Sequence, residues 1–227
     1  MEAAVSEKMK SERFRTELIT NVSHDIKTPL TSIINYVDLL QKEDIDNEKV
    51  REYLDVLDRQ SSRLKKLIQD LLEASKASTG SINVELEAVM LSQVAGEYKE
   101  KFEKNNLDLI IKNDVTPVMI QADGRHLWRV FDNLMNNINK YAQPGTRVYI
   151  DIIPKDSGAI ITFKNVSATP LNISSDELKE RFVRGDSSRN TEGSGLGLSI
   201  AESLMKLMNG TLELTVDGDL FKVTLEF

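Results

Sequence analysis

Two architectures in series are expected: an all-α helical hairpin that pairs into a dimeric four-helix bundle, then an α+β two-layer sandwich. Three observations predict this. Apolar residues step by four and three from Leu18 to Leu40 and again from Val50 to Leu71, the period of long helices. The small-residue cluster Ser78-Thr79-Gly80-Ser81 then breaks the pattern, as a hinge does. Beyond it, short alternating runs are interleaved with helical ones, which places one sheet under helices on one face.

Taken in order, residues 1 to about 42 read as one helix, polar from Glu2 to Arg15. Leu18, Val22, Ile26, Leu30, Ile33, Val37 and Leu40 then share a single face. Lys42 to Asn47 is a charged break, and Asp46 or Asn47 can cap the helix after it. That second helix is expected from about Glu48 to Ala77, with Val50, Leu54, Leu57, Leu64, Leu67, Ile68 and Leu71 at heptad-like spacing. A short loop between two such helices gives an antiparallel hairpin. Neither stripe can be fully buried by one partner, so a homodimer forming a four-helix bundle is expected. The domains are therefore 1–77, a hinge at 78–81, and 82–227.

In the second domain, Ile82 to Met90 alternates like a strand, and Leu91 to Asn105 reads as helix. Leu107 to Asn113 and Pro117 to Gln121 read as strands. Asp123-Gly124 opens a helix running to about Ala142, which the turn Gln143-Pro144-Gly145 ends. Arg147 to Pro154 and Ala159 to Asn165 form a hairpin around Lys155-Asp156-Ser157-Gly158. A long polar region comes next, with a helical patch near Asp176 to Phe182. Gly197 to Met208 is helical, and Thr211 to Val216 with Leu220 to Phe227 makes the closing hairpin.

Composition narrows the function classes. Of the 227 residues, 40% are hydrophobic and 29% charged, with a net charge of −7. That balance argues against nucleic acid or anionic membrane as a partner, since both call for a basic surface. There is no cysteine, which rules out disulfides and thiolate-ligated metals and fits a reducing compartment. No apolar run approaches the roughly 20 residues of a bilayer span, and no secretory signal is visible. No membrane insertion is expected of this chain.

Three stretches carry chemistry. In the first, Asn21-Val22-Ser23-His24-Asp25-Ile26-Lys27-Thr28-Pro29-Leu30, the helical period turns His24 almost directly away from the apolar stripe. A neutral imidazole is nucleophilic near neutral pH, and Asp25 could hold its reactive tautomer. Pro29 lacks a backbone donor and should bend or loosen the helix. The second, Asn133-Leu134-Met135-Asn136-Asn137-Ile138-Asn139-Lys140-Tyr141, spends helix propensity on four asparagines; Asn133, Asn137 and Tyr141 share a flank. In the third, Gly193-Ser194-Gly195-Leu196-Gly197 precedes an apolar helix, so backbone amides can approach a phosphate.

Ser23 to Leu30 closely resembles the phosphoacceptor box of the sensor histidine kinases of two-component systems. The asparagine stretch resembles the N box of the ATP-binding fold that those kinases share with gyrase-type ATPases and heat-shock-ninety chaperones. The glycine stretch resembles the family's second glycine box. Glu180 to Arg189 resembles the phenylalanine-containing lid before it, with Arg184, ahead of Arg189, as the candidate to meet phosphate charge. The resemblance covers essentially the whole chain and implies ATP and Mg²⁺, with Asn137 as the metal ligand. It sets Asn133, Lys140 and Tyr141 around the phosphates and nucleotide, and Gly193, Gly195, Leu196 and Gly197 at the phosphates. One departure stands out. Where the first glycine box has Asp-x-Gly-x-Gly, this sequence has Asn165-Val166-Ser167-Ala168-Thr169. Asn165 can still accept a hydrogen bond from adenine through its side-chain oxygen, but the loop path must differ.

The resemblance thus implies ATP-dependent autophosphorylation on His24, transfer to an aspartate of a response-regulator receiver domain, and hydrolysis of that partner supported by Thr28 and Asp25. It also implies the cytoplasmic portion of a membrane-bound sensor. Two alternatives remain on the residues alone. One is a dimeric nucleotide-binding scaffold, a pseudokinase that has lost activity through the altered glycine box. The other is a gyrase- or chaperone-type ATPase, which leaves the histidine helix unexplained. His126 and Trp128 read as packing or surface residues, and Asp44, Asp46 and Glu48 as a solvated loop.

Overall fold

The computed structural model describes residues 26–43, 45–91, 102–103, 106–113, 117–171 and 195–227. The chain divides into two compact units, Met1–Ser81 and Ile82–Phe227. The first helix before residue 26, most of the helix expected over Leu91 to Asn105, and the patch near Asp176 to Phe182 lie outside the described residues.

In the first unit, helix α1 covers residues 26–42 and α2 is Glu48–Ser78. Asn47 is the cap: its side chain accepts from the amides of Lys49 at 3.1 Å and Val50 at 3.3 Å. α1 runs through Pro29, where the hydroxyls of Thr31 and Ser32 donate to the carbonyls of Lys27 and Thr28. The heptad resolves into two seams. Leu30 and Val37 on α1, with Leu54, Ser61, Ile68 and Ser75 on α2, are buried within the hairpin. Ile26, Ile33 and Leu40, with Leu57 and Leu64, are each at least 40% exposed. Both seams repeat every seven residues, so the second is a coiled-coil stripe that this hairpin alone leaves open to water.

The second unit is built on a five-stranded sheet of order β2-β4-β5-β7-β6. Its strands are β2 (Asp108–Asn113), β4 (Arg147–Lys155), β5 (Gly158–Val166), β6 (Thr211–Asp217) and β7 (Leu220–Glu226). β2 pairs parallel with β4, and the other pairings are antiparallel. Register fixes one apolar face. Ile150 faces Phe163, which faces Val223, which faces Leu214; Ile152, Ile161, Leu225 and Leu212 form the next rung. All eight are buried. The opposite face is polar: Lys164 pairs with Asp151 at 2.5 Å, and the Lys112 ammonium lies 5.8 Å from the Tyr149 ring centre.

Two helices cover the apolar face. α3 (Gly124–Tyr141) buries Leu127, Val130, Phe131, Leu134, Met135 and Ile138. Phe131 meets Phe163 of the sheet edge-to-face, with centroids 5.2 Å apart. α4 (Gly197–Leu207) buries Ile200, Ala201, Leu204 and Met205. This is the two-layer sandwich expected from the alternation of periods.

Two expectations need correction. The strand foreseen over Ile82 to Met90 is confined to β1 (Glu87–Met90). It pairs not with the main sheet but with β3 (Met119–Ala122), in a separate two-stranded sheet. The residues before β1 serve another purpose. The amide of Glu85 donates to Asp123 Oδ2 at 3.1 Å, and the His126 ring nitrogen lies 3.2 Å from the Asn83 carbonyl. A side-chain anchor replaces the ladder.

Asp123 does more than open α3. Its Oδ1 accepts from the amides of Arg125 and His126 at 3.0 and 3.2 Å, and its Oδ2 from the Arg125 guanidinium at 3.2 Å. The carboxyl is buried, which by itself would raise its pKa. The hydrogen bonds from Glu85, Arg125 and His126, with the charge of His126, outweigh that and lower it to about 2. A depressed folded pKa contributes stability above the unfolded value near 3.8 and loses it as pH falls through the folded one. Asp123→Ala is expected to destabilise this unit by about 2 kcal/mol at pH 6. The gap between parent and variant should narrow by roughly half at pH 3. Urea melts at the two pH values check this; a gap unchanged by pH would remove the carboxylate from the explanation.

Candidate functional site

The asparagine stretch lies on the second half of α3. Its core side is anchored by Leu134, Met135 and Ile138, so helical spacing turns Asn133, Asn137, Lys140 and Tyr141 to the adjoining flank, where all are half-buried. The Lys140 ammonium lies 4.8 Å from the Tyr141 ring centre, a cation–π distance.

Tertiary structure brings the glycine stretch to this flank. A Cβ added at Gly197 would stand 3.6 Å from Asn133 Oδ1, so the start of α4 abuts the first asparagine. Gly195 sits at φ +70°, a left-handed conformation suited to glycine. Leu196 at the helix N-cap is buried, and no side-chain hydrogen bond caps α4. The first-turn amides of a helix without a side-chain cap, with the dipole behind them, suit an anion.

Asn165 occupies the end of β5 on the apolar face, 3% exposed and opposite Phe221. The segment after it is zipped to the end of α3. Gln143 N donates to the Val166 carbonyl at 2.8 Å, Ala168 N to the Tyr141 carbonyl at 2.8 Å, and Ala142 bridges to Ser167. The Ser167 hydroxyl donates to the Thr169 carbonyl at 2.7 Å. The turn after β5 is thus held by a serine hydroxyl and by continued backbone pairing.

Two buried amide atoms here have no hydrogen-bond partner among the described residues: Asn133 Nδ2 and Asn165 Oδ1. Unpaired buried polar atoms are uncommon and destabilising. A donor beside the glycine turn and an acceptor at the end of β5 are what a nucleotide would satisfy. Among the described residues no group of three or more His, Asp or Glu side chains could hold a metal. The amide oxygen of Asn137 is a hard donor of the kind Mg²⁺ takes alongside substrate phosphates and water.

Thr28 is exposed on α1. His24, Asp25, Arg184 and Gly193 lie outside the described residues. Sequence reasoning took Asp123 only as a helix opener. The Asp-Gly-Arg start of an amphipathic helix signals a cap, but not the loop that the cap's second oxygen holds. Among the described residues no helix is long and apolar enough to cross a membrane.

Comparison with known proteins adds two family matches. Residues 14–80 match the His Kinase A (phospho-acceptor) domain. Residues 122–227 match the histidine kinase-, DNA gyrase B- and HSP90-like ATPase domain. Sensor protein VanSC of Enterococcus gallinarum is 31% identical over 89% of this chain and 58% of its own length. Sensor protein GtcS of Aneurinibacillus migulanus is 30% identical over 92% and 58%. Sensor protein kinase WalK of Staphylococcus aureus (strain MRSA252) is 29% identical over 92% and 35%. The chain thus spans well under two thirds of the length of these relatives. Among solved structures, full-length ShkA in complex with AMPPNP is similar in fold, with a TM-score of 0.78 at 23% identity over 92% of this chain and 45% of that one. The Acinetobacter baumannii histidine kinase AdeS gives 0.62 at 18% identity over 90% and 96%.

Proposed function

We propose, from the premise that this chain belongs to the sensor histidine kinases of two-component systems, that it phosphorylates itself on His24 with ATP. It then passes the phosphoryl group to an aspartate of a response-regulator receiver domain. The observation that carries the nucleotide half of this reading is the pair of buried amide atoms on Asn133 and Asn165 that have no partner among the described residues, beside a helix N-terminus without a side-chain cap.

In this reading Asn165 Oδ1 accepts from the adenine amino group. Asn133 Nδ2 and the backbone amides from Gly195 to Gly197 donate to phosphate oxygens, and Gly193, Lys140 and Arg184 add to that set. Tyr141, beneath the Lys140 ammonium, flanks the nucleotide. Asn137 would hold Mg²⁺ through its amide oxygen, the ion supplying charge neutralisation at the γ-phosphoryl group. The neutral His24 imidazole attacks the γ-phosphorus in line: an N–P bond forms and the bond to the ADP leaving oxygen breaks. Asp25 accepts a hydrogen bond from the N–H of the other ring nitrogen, holds that tautomer and stabilises the imidazolium that develops, whose proton is then lost to water. Thr28 orients a water in the reverse hydrolysis of the phosphorylated regulator.

The open heptad seam of the hairpin, Ile26, Ile33, Leu40, Leu57 and Leu64, supports a homodimer closed as a four-helix bundle. Mobility at residues 78–81 would let one acceptor helix alternate between nucleotide and regulator. Dependence on ATP and the lack of cysteine support action in the cytoplasm.

Incubation of the chain with γ-labelled ATP and Mg²⁺ tests the reading. Label that is stable to alkali and lost in acid, as a phosphoramidate is, is the expected result. No label, or label stable to acid, overturns it.

A further inference from the structure

The first unit ends in a helix terminus closed by hydrogen bonds. Gly80, at φ +67° with nothing within 4 Å of its Cβ position, follows the C-cap residue Thr79. Its amide donates to the Ala77 carbonyl at 3.3 Å, and the Ser81 amide to the Lys76 carbonyl at 3.0 Å. Two such bonds around a left-handed glycine make a Schellman motif. The Thr79 hydroxyl also reaches the Lys76 carbonyl at 3.1 Å and lies 2.9 Å from the Ser81 hydroxyl. Within the second unit the chain is held almost at once. The Asn83 carbonyl can only accept, so the His126 ring donates to it across 3.2 Å. Two residues on, the Glu85 amide donates to Asp123 Oδ2. Between the Ser81 amide and the Asn83 carbonyl stands Ile82, which makes no backbone hydrogen bond among the described residues.

We propose that Ile82 is the joint between the two units and that His126 is a positioning residue, which clamps Asn83 and keeps the tether one residue long. The inference rests on the autophosphorylation reading given above and moves the mobility assigned to residues 78–81 one residue onward. In that reading acceptor and nucleotide belong to different units, so their encounter takes place within one assembly. Effective concentration across a flexible tether falls as roughly the −3/2 power of its length. Each released residue adds about 3.5 Å of reach and two soft dihedrals, and with them arrangements that are unproductive. The clamp is separable from the start of α3. Asp123 Oδ1 caps the helix whether or not His126 holds Asn83, so losing the ring shifts the first anchor from Asn83 to Glu85 and leaves the cap in place.

Gly-Ser-Gly is inserted into the full chain at two places, between Ile82 and Asn83 ahead of the clamp and between Leu86 and Glu87 behind it. The rate of labelling by γ-labelled ATP and the affinity for ATP are measured for both, and for His126→Ala and His126→Gln. The first insertion is expected to slow labelling about tenfold, as the tether grows from one residue to four. The second is expected to change the rate by less than about twofold, since the added chain lies behind the anchor. His126→Ala, which frees the chain as far as Glu85, is expected to slow labelling about fivefold. His126→Gln, whose amide can still donate, should recover most of that loss. ATP affinity should hold in all four. Equal effects from the two insertions, a rate unmoved or raised by the first, or full activity in His126→Ala would overturn the proposal. So would slowing that is matched by weaker ATP binding, which a damaged site would give. Amide hydrogen exchange of the parent reads the joint without turnover: Ser81 and Glu85 are expected to be protected and Ile82 to exchange freely. Exchange at Ser81 as fast as at Ile82 would return the joint to 78–81. A parent that takes no label would refute the autophosphorylation reading, and the exchange pattern would still decide the joint.

Discussion

His24→Ala is expected to reduce acid-labile labelling by about three orders of magnitude or more, to background. The effect is this large because no second histidine can take over. The sequence contains two, and the other, His126, sits at the far end of α3 from the asparagine stretch, with its ring nitrogen on the Asn83 carbonyl. A phosphoramidate also needs a nitrogen nucleophile, so a neighbouring serine or aspartate could not yield label of the same acid lability. Nucleotide binding should be unchanged, because the residues assigned to ATP are all on the second unit. Dimer mass by light scattering should be unchanged as well, since the helical period turns position 24 away from the apolar stripe. Labelling that survives in this variant would move the acceptor elsewhere. Loss of labelling together with loss of ATP binding would mean the fold had been damaged instead.

Asn137→Ala is expected to lower the rate of Mg²⁺-dependent labelling by about 100-fold or more, equivalent to roughly 2.7 kcal/mol of transition-state stabilisation. Asn137 is half-buried on the flank of α3 rather than in its core stripe, and alanine is the better helix former. Melting in the absence of nucleotide should therefore hold or rise slightly. Asn137→Asp, which keeps an oxygen ligand, should recover part of the rate. Raising the Mg²⁺ concentration should help the aspartate variant more than the alanine one. A rate in Asn137→Ala that matches the parent at every Mg²⁺ concentration would take the metal away from this residue.

Much of the architecture was legible because it obeys period. The seven-residue repeat along α1 and α2, the cap at Asn47 and the stop at Gly80 each depend on residues within a turn or two of one another. The alternation of β4 and β5 around Asp156 and Ser157 is equally local. Misreadings arose where distant partners intervened. Ile82 to Leu86 alternates well enough for a strand, but the Asp123 carboxylate claims the Glu85 amide that a ladder would need. The separate pairing of β1 with β3 was likewise invisible, since nothing local states which sheet a short edge strand joins.

The site divides along the same line. Asparagine content on an amphipathic helix and glycines ahead of another are chemical statements that residue identity makes by itself. Sequence alone therefore determined which groups are available: an imidazole, amide oxygens and nitrogens, and permissive backbone. Only tertiary structure decided that Gly197 abuts Asn133, and that Asn165 is buried on the inner face of the sheet with its side-chain oxygen unpaired among the described residues. The reason is range. Helical and strand periods are set by neighbours along the chain, whereas hydrogen-bond satisfaction is settled by whichever donors and acceptors packing brings together.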